Sequence, residues 1–347
     1  MKYGLALAGG GTRGAFQAGV WRAINEMGLE ITAIAGTSIG AVNGAMFTMG
    51  EDTVDMWAKI HVTDIVDVPQ KNSNLLTPNS LITFAKNGAD GGLDTTPFRK
   101  LLQSLISEDR IRNSEIDFGL CTFSVSDKKS VELFCDDIPE GHIVDYILAS
   151  SCFPIFRPVI IDGKEYSDGS ARNNLPVNML IDRGCDTIIA VSVHGIGMLK
   201  DYDDCGVNII KIKSHSPEVG LMDFDKEAIA RSVKSGYYES MKTFGRFSGE
   251  YFSFEPDSYS CALAVFGPEL LHNLETAGKM LDVDKYIPYT FEEFVHIILS
   301  EYRKKPRLRR LTEYIAEGKG FIHEKLDLLG DLFSAANSIA YISKFLH

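Results

Sequence analysis

A serine set between glycines, Gly36-Thr37-Ser38-Ile39-Gly40, is an arrangement whose residue types could do chemistry. It follows the apolar run Ile31 to Ala35 and precedes a run rich in small residues. Glycines on both sides allow the sharp strand-to-helix turn that pushes a hydroxyl out at the carboxyl end of a sheet. A hydroxyl presented in this way becomes a nucleophile once a base takes its proton. A second cluster, Gly9-Gly10-Gly11-Thr12-Arg13-Gly14, follows another short apolar run. Taken as G-x-G-x-x-G through Gly9, Gly11 and Gly14, it has the spacing of a dinucleotide-binding turn. That use needs an acidic residue at the end of the next strand, about 20 residues on, and here the next strand runs into Gly36-Thr37-Ser38 while Glu30 precedes it. The better use aims its backbone N–H groups at the oxyanion formed when Ser38 attacks an acyl carbonyl. Losing one such donor typically costs about 3 kcal/mol of transition-state stabilisation.

Two routes supply the base. In the order Ser, Asp, His of an α/β-hydrolase the set is Ser38, Asp168 and His194. Against it, only the strand at Tyr3 to Ala8 precedes the elbow strand, whereas several do in that fold. The histidines at 61, 142, 215, 272, 296, 323 and 347 sit in no catalytic context. Asp168-Gly169-Ser170 follows the stretch Pro158 to Tyr166, in which Asp162-Gly163 reads as a hairpin turn. Taken alone, Asp168-Gly169 could be one more turn. The cysteines at 121, 135, 152, 185, 205 and 261 form no C-x-x-C pair, which argues against zinc or a redox motif and leaves free thiols in a reducing compartment.

Strand, helix, strand and helix succeed one another from Tyr3: a strand to Ala8, a helix from Ala15 to Met27, the strand Ile31 to Ala35, then the small-residue helix. Further strands are expected at Phe118 to Phe123, Val131 to Phe134, Thr187 to Val193 and Val207 to Ile212, with helices at Ile143 to Ser150 and Pro176 to Asp182. The alternation implies an α/β domain with a mostly parallel sheet covered on both faces. From about Tyr259 the character is helical, so the chain divides into a catalytic-sized domain, 1–255, and a helical C-terminal region, 256–347. The Asn- and Gly-rich stretch Gln70 to Pro97 reads as a cover over the site, with Leu75, Leu76, Leu81, Ile82 and Phe84 facing it, or as a surface insertion whose apolar residues pack down.

The 347 residues carry 35 Lys plus Arg against 47 Asp plus Glu, a net charge of −12. Nucleic acid is therefore excluded as a partner of the whole chain. The N-terminus lacks the pattern of a signal peptide, and no apolar stretch is long enough to span a bilayer, so a cytoplasmic location is expected.

The glycine loop with Arg13 and Gly14, the elbow through Ala41, the segment Ala149-Ser150-Ser151-Cys152-Phe153-Pro154-Ile155-Phe156-Arg157-Pro158, and Asp168-Gly169 occur in the order found in patatin-like phospholipases. Asn174-Leu175-Pro176-Val177 and the strand Thr187 to Val193 also look like that family, and the resemblance spans about residues 3 to 250. It implies a three-layer α/β/α fold and a Ser-Asp dyad without histidine. Ser38 would then be the nucleophile, held between Gly36 and Gly40, and Asp168 the direct base. The oxyanion hole would come from Gly9, Gly10, Gly11, Arg13 and Gly14. Ser170 stands where the family usually has Gly or Ala. Neither metal nor other cofactor is implied. Arg13 has two readings, a lipid-phosphate anchor or a brace for the glycine loop.

The expected activity is hydrolysis of phospholipid or lysophospholipid esters. A transacylase or general carboxylesterase would use the same dyad, and a lipid-binding protein without activity would keep the fold. The basic run Arg303-Lys304-Lys305-Pro306-Arg307-Leu308-Arg309-Arg310, with the apolar helix expected from Phe321 to Leu346, could meet an anionic membrane surface peripherally. Solvated charges beside a helix docked on the core are the competing reading.

Overall fold

The computed structural model describes residues 2–67, 92–203, 206–306, 338–339 and 341–342. Leu75 to Phe84 of the expected cover, Cys205, Arg307 to Arg310 and nearly all of the expected helix Phe321 to Leu346 lie outside the described residues. The chain forms two compact units, Met1–Ser240 and Met241–His347.

The first unit opens with β1 (Tyr3–Leu7), α1 (Ala15–Glu26), β2 (Ile31–Thr37) and α2 (Ile39–Thr48), the order expected from the apolar pattern. The helices α3 (Val54–Lys59), α4 (Thr96–Leu105) and α5 (Glu108–Arg112) precede β3 (Asp117–Ser124) and β4 (Lys129–Phe134). Next come α6 (Ile143–Ser150), the hairpin β5 (Val159–Ile161) and β6 (Lys164–Asp168), and α7 (Val177–Asp182). The unit closes with β7 (Thr187–Ser192), β8 (Asn208–Lys213) and most of α8 (Lys226–Thr243), a helix the pattern does not single out. Asp162 and Gly163 both hold positive φ, 50° and 75°, the requirement of the tight hairpin turn anticipated there.

The strands make one mixed sheet in the order β5-β6-β3-β2-β1-β7-β8, with β4 also on β3. The pairings from β3 through β2, β1 and β7 to β8 are parallel, and those of β4 and β6 with β3 are antiparallel. Successive side chains of a strand point to opposite faces, so each strand feeds two cores. Phe118 and Leu120 of β3 join a core with α2 and α6, while Cys121, with Ala6, Ala33 and Ala35, joins another with α7. Helices thus cover both faces of a mostly parallel sheet.

One detail of register positions the site. Along β3, Cys121 lies opposite Thr37 of β2 and Glu132 of β4, whereas the next residue, Thr122, lies opposite Asp168 of β6 and Val131 of β4. Since β4 is common to both, β2 and β6 occupy the same edge of β3 in succession. Where β2 leaves the sheet after Thr37, β6 takes over.

The second unit holds α9 (Pro256–Met280), broken at Gly267 before Pro268, and α10 (Phe291–Arg303). Two short strands, β9 (Ser253–Phe254) and β10 (Pro288–Tyr289), pair in parallel. Its core gathers Phe252, Phe254, Leu274, Tyr289, Phe294 and Ile298. The buried Glu275 carboxylate accepts the backbone N–H groups of Glu250, Tyr251 and Phe252 at 2.6–3.1 Å and so holds the chain entering β9. Among the described residues no helix is long and apolar enough to cross a membrane.

Candidate active site

Ser38 sits at the junction of β2 and α2 with φ 56° and ψ −127°, a backbone conformation that L side chains rarely adopt. Such strain costs of order 1–3 kcal/mol and persists only where the surroundings over-determine it. Here they do. A Cβ on Gly36 would stand 2.2 Å from the Gly40 carbonyl oxygen, and one on Gly40 would stand 2.2 Å from that of Leu7, so the turn closes only with glycine at both positions. The Ser38 amide donates to Ser150 Oγ at 2.9 Å, and that hydroxyl donates to the Cys121 carbonyl at 2.7 Å, tying the elbow to β3 through the end of α6.

Because β6 succeeds β2 along β3, the last residue of β6 arrives beside the elbow. Ser38 Oγ donates to Asp168 Oδ2 at 2.7 Å across 130 residues of sequence. Asp168 is 2% exposed, and its other oxygen accepts the Ser170 amide at 2.8 Å. Burial raises its pKa above the ordinary 3.8, opposed by the hydrogen bonds from Ser38 and from the Ser170 amide and hydroxyl. His194 lies elsewhere, its Nε2 2.7 Å from the Ser214 carbonyl. With the serine hydroxyl directly on the carboxylate, no imidazole stands between them.

The glycine loop, between β1 and α1, is held at both ends. Gly9 N donates to the carbonyl and side-chain oxygens of Asn174, both at 3.1 Å. Thr12 N donates to Leu221 and Arg13 N to Gly10. The amides of Gly10 and Gly11 meet no acceptor among the described residues. Gly11 has φ 56°, and a Cβ there would lie 2.0 Å from the Leu221 carbonyl oxygen, so a side chain at this position would displace the neighbouring loop. The Arg13 guanidinium donates to the carbonyls of His194 and, at 3.2 Å, Val219, a bracing geometry. Its burial lowers the pKa. Gly14 offers its carbonyl to Asn43 and its bare Cα to Ile39.

A network without a sequence motif clamps this loop from behind. Gln17 Nε2 donates to the Ala8 carbonyl at 2.7 Å, and Asn43 Nδ2 donates to the Gly14 carbonyl at 2.9 Å and to Gln17 Oε1 at 2.8 Å. Trp57 Nε1 completes it on Asn43 Oδ1 at 3.2 Å. Gln17 and Asn43 are fully buried amides inside apolar helices, and such a pairing of polar residues with a buried face is the sequence signal that could have found them.

Ser38, Asp168 and Gly9 to Thr12 line one cavity of about 230 Å³. The rest of its wall is largely apolar: Trp57 and Ile60 after α2, Phe98 of α4, Phe153 to Phe156 beyond α6, and Leu221, Met222 and Phe224 before α8. Asp168 is its one charged side chain among the described residues. Arg13, Gly14, Gly36 and Gly40 stand behind this wall. A hydroxyl on a buried carboxylate, beside two free amides at the floor of an apolar cavity, can transfer an acyl group.

Residues 5–181 match the family model for patatin-like phospholipase. Lysophospholipase nte1 of Aspergillus terreus is 29% identical over 196 residues, 56% of this chain and 12% of that protein. Lysophospholipase NTE1 of Saccharomyces cerevisiae is 29% identical over 194 residues, 55% of this chain and 11% of that protein. Patatin-like phospholipase domain-containing protein 7 of Rattus norvegicus is 27% identical over 194 residues, 54% and 13%. The chain thus spans about an eighth of the length of these curated relatives. Among solved structures, VipD from Legionella pneumophila is similar at a TM-score of 0.39 and 16% identity, covering 99% of this chain and 80% of that one.

Proposed function

The chain belongs to the patatin-like phospholipase family, and from that premise we propose that it is a serine acyl hydrolase cleaving carboxylic esters of phospholipids or lysophospholipids with Ser38 and Asp168 as its dyad. The observation that carries the reading is the 2.7 Å hydrogen bond from Ser38 Oγ to the buried Asp168 carboxylate at the floor of an apolar cavity.

In this reading the acyl chain lies along the apolar wall and the ester carbonyl faces the Gly10 and Gly11 amides. Ser38 Oγ attacks the carbonyl carbon as its proton passes to Asp168, and the oxyanion accepts hydrogen bonds from the two amides. The C–O bond to the alcohol breaks, Asp168 returns the proton to the departing oxygen, and an acyl-Ser38 ester remains. Water, deprotonated by Asp168, attacks that ester, and Ser38 regains its proton as the fatty acid leaves. Of the glycine-loop residues, Gly9, Arg13 and Gly14 hold the loop while Gly10 and Gly11 donate. Arg13 acts as the brace.

The chemistry is assigned to the first unit, so the boundary drawn at 255 moves to 240 in this proposal, because Phe252 and Phe254 are buried in the second unit's core. The test is labelling by a fluorophosphonate with the adduct located by mass spectrometry, together with turnover of a soluble ester. Ser38 should carry the adduct, and Asp168→Asn should lose at least about a thousandfold in kcat, within the losses seen when catalytic triad members are removed. His194→Ala should retain most turnover. An adduct elsewhere, or loss in His194→Ala with retention in Asp168→Asn, overturns the assignment.

A further inference from the structure

Polar side chains in the cavity wall are answered within the protein, with one exception. Ser38 and Ser170 bond Asp168, Thr12 Oγ1 donates to the Gly220 carbonyl, and Trp57 donates to Asn43. The Ser151 hydroxyl lines the same cavity, belongs to a residue only 8% exposed, and has no hydrogen-bond partner. A buried hydroxyl left unmade costs free energy that a well-placed partner restores. Its location is close to the chemistry, because Ser151 directly follows Ser150, whose hydroxyl accepts the Ser38 amide at 2.9 Å.

Resting on the acyl-hydrolase reading above, we propose that Ser151 is a specificity-determining residue whose hydroxyl bonds a free hydroxyl on the alcohol half of the substrate, next to the ester-bearing carbon. The acyl chain has no polar atom to offer. The carbonyl oxygen is taken by the Gly10 and Gly11 amides, and the bridging ester oxygen must face Asp168 to receive its proton. A neighbouring hydroxyl is the polar group that remains beside the ester, and it can both donate to and accept from Ser151. The cavity, about 230 Å³, falls below the roughly 300–1,000 Å³ common for ligand pockets, which favours one acyl chain over two. The substrate class selected is therefore a monoacyl glycerol-type ester with its neighbouring hydroxyl free.

The test compares kcat/KM for a medium-chain lysophosphatidylcholine with that for the analogue in which hydrogen replaces the free glycerol hydroxyl. A p-nitrophenyl ester and fluorophosphonate labelling of Ser38 serve as controls. Wild type should prefer the hydroxyl-bearing ester by about tenfold or more. Ser151→Ala and Ser151→Cys should bring the ratio towards one, and Ser151→Thr, which keeps a hydroxyl, should restore part of it. In a Ser38→Ala background, Ser151→Ala should weaken binding of the hydroxyl-bearing ester more than that of the analogue. A wild type without preference, or variants that lower both rates with the ratio intact, overturns the assignment and leaves the acyl-hydrolase reading standing. Absence of p-nitrophenyl ester turnover and of Ser38 labelling overturns both.

Discussion

Asp168 is a carboxylate kept in the protein interior by hydrogen bonds alone, since no cation figures among the groups that shift it. Burial, the largest influence, raises its pKa above 3.8, and the bonds from Ser38 and Ser170 pull it back. The folded protein therefore holds a proton at pH values where the unfolded chain has already lost it. This residue's contribution to stability is full below the unfolded value and falls as pH rises towards the folded one. Activity runs the other way, because the base must be unprotonated. The acidic limb of kcat/KM should lie above pH 3.8. Ser170→Ala removes one of the bonds that favour the anion, so it should move that limb higher still. A pH–rate profile of the two proteins on a soluble ester checks this, and a limb that stays in place or moves down would mean that the Ser170 hydroxyl does not reach the carboxylate in solution.

At the scale of elements, the elbow and the glycine loop are rigid because other segments leave them no room. The loop is clamped at the Ala8 and Gly14 carbonyls by Gln17 and Asn43, side chains from the two helices it feeds. Asn43→Ala would orphan the Gly14 carbonyl, Gln17 Oε1 and Trp57 Nε1 in the interior, at roughly 1–3 kcal/mol for each group left unanswered. Trp57→Phe removes a single bond and should cost about 1 kcal/mol. Urea unfolding should rank Asn43→Ala well below Trp57→Phe. Turnover of a soluble ester should fall along with it, since the donors at Gly10 and Gly11 ride on the clamped loop. Equal stabilities for the two variants would show that the network does not hold the loop.

For the whole molecule, a net charge of −12 opposes approach to anionic lipid, and the basic run from Arg303 is the contrary feature. Its described part is half engaged already: Lys304 pairs with Glu301 at 2.6 Å and Lys305 with Asp282 at 3.1 Å. Exposed pairs of this kind hold their charges only weakly. Each Lys or Arg near an anionic surface contributes on the order of 1 kcal/mol, within a screening distance of about 10 Å at moderate salt. Neutralising Arg307, Arg309 and Arg310 together should weaken binding to phosphatidylserine vesicles tenfold or more at low salt and less at high salt. Turnover of a soluble short-chain ester should stay near wild type. Vesicle sedimentation that is indifferent to the substitutions would remove the basic run from membrane contact.

Local chemistry made much of this molecule legible in its sequence. Apolar runs bounded by glycine mark β1 and β2, the Asp162-Gly163 pair marks the β5–β6 turn, and Ile143 to Ser150 is a helix to the residue. The elbow is equally local, because two glycines and one serine within five positions specify a strained turn wherever they fold. The Ser38–Asp168 pairing was legible only through resemblance to a family, since no spacing within one chain links residues 130 apart. Tertiary structure decides it through register, as β2 ends opposite Cys121 and β6 begins its pairing at Thr122 on the same edge of β3. It also decides which loop amides stay free, because Asn174 and Leu221 take those of Gly9 and Thr12. The same holds for the cavity wall, where Phe98, Phe153 and Phe224 converge from separate elements. Side-chain period and turn preference act over a few residues, whereas hydrogen-bond partners and pocket walls depend on which distant segments the sheet brings together.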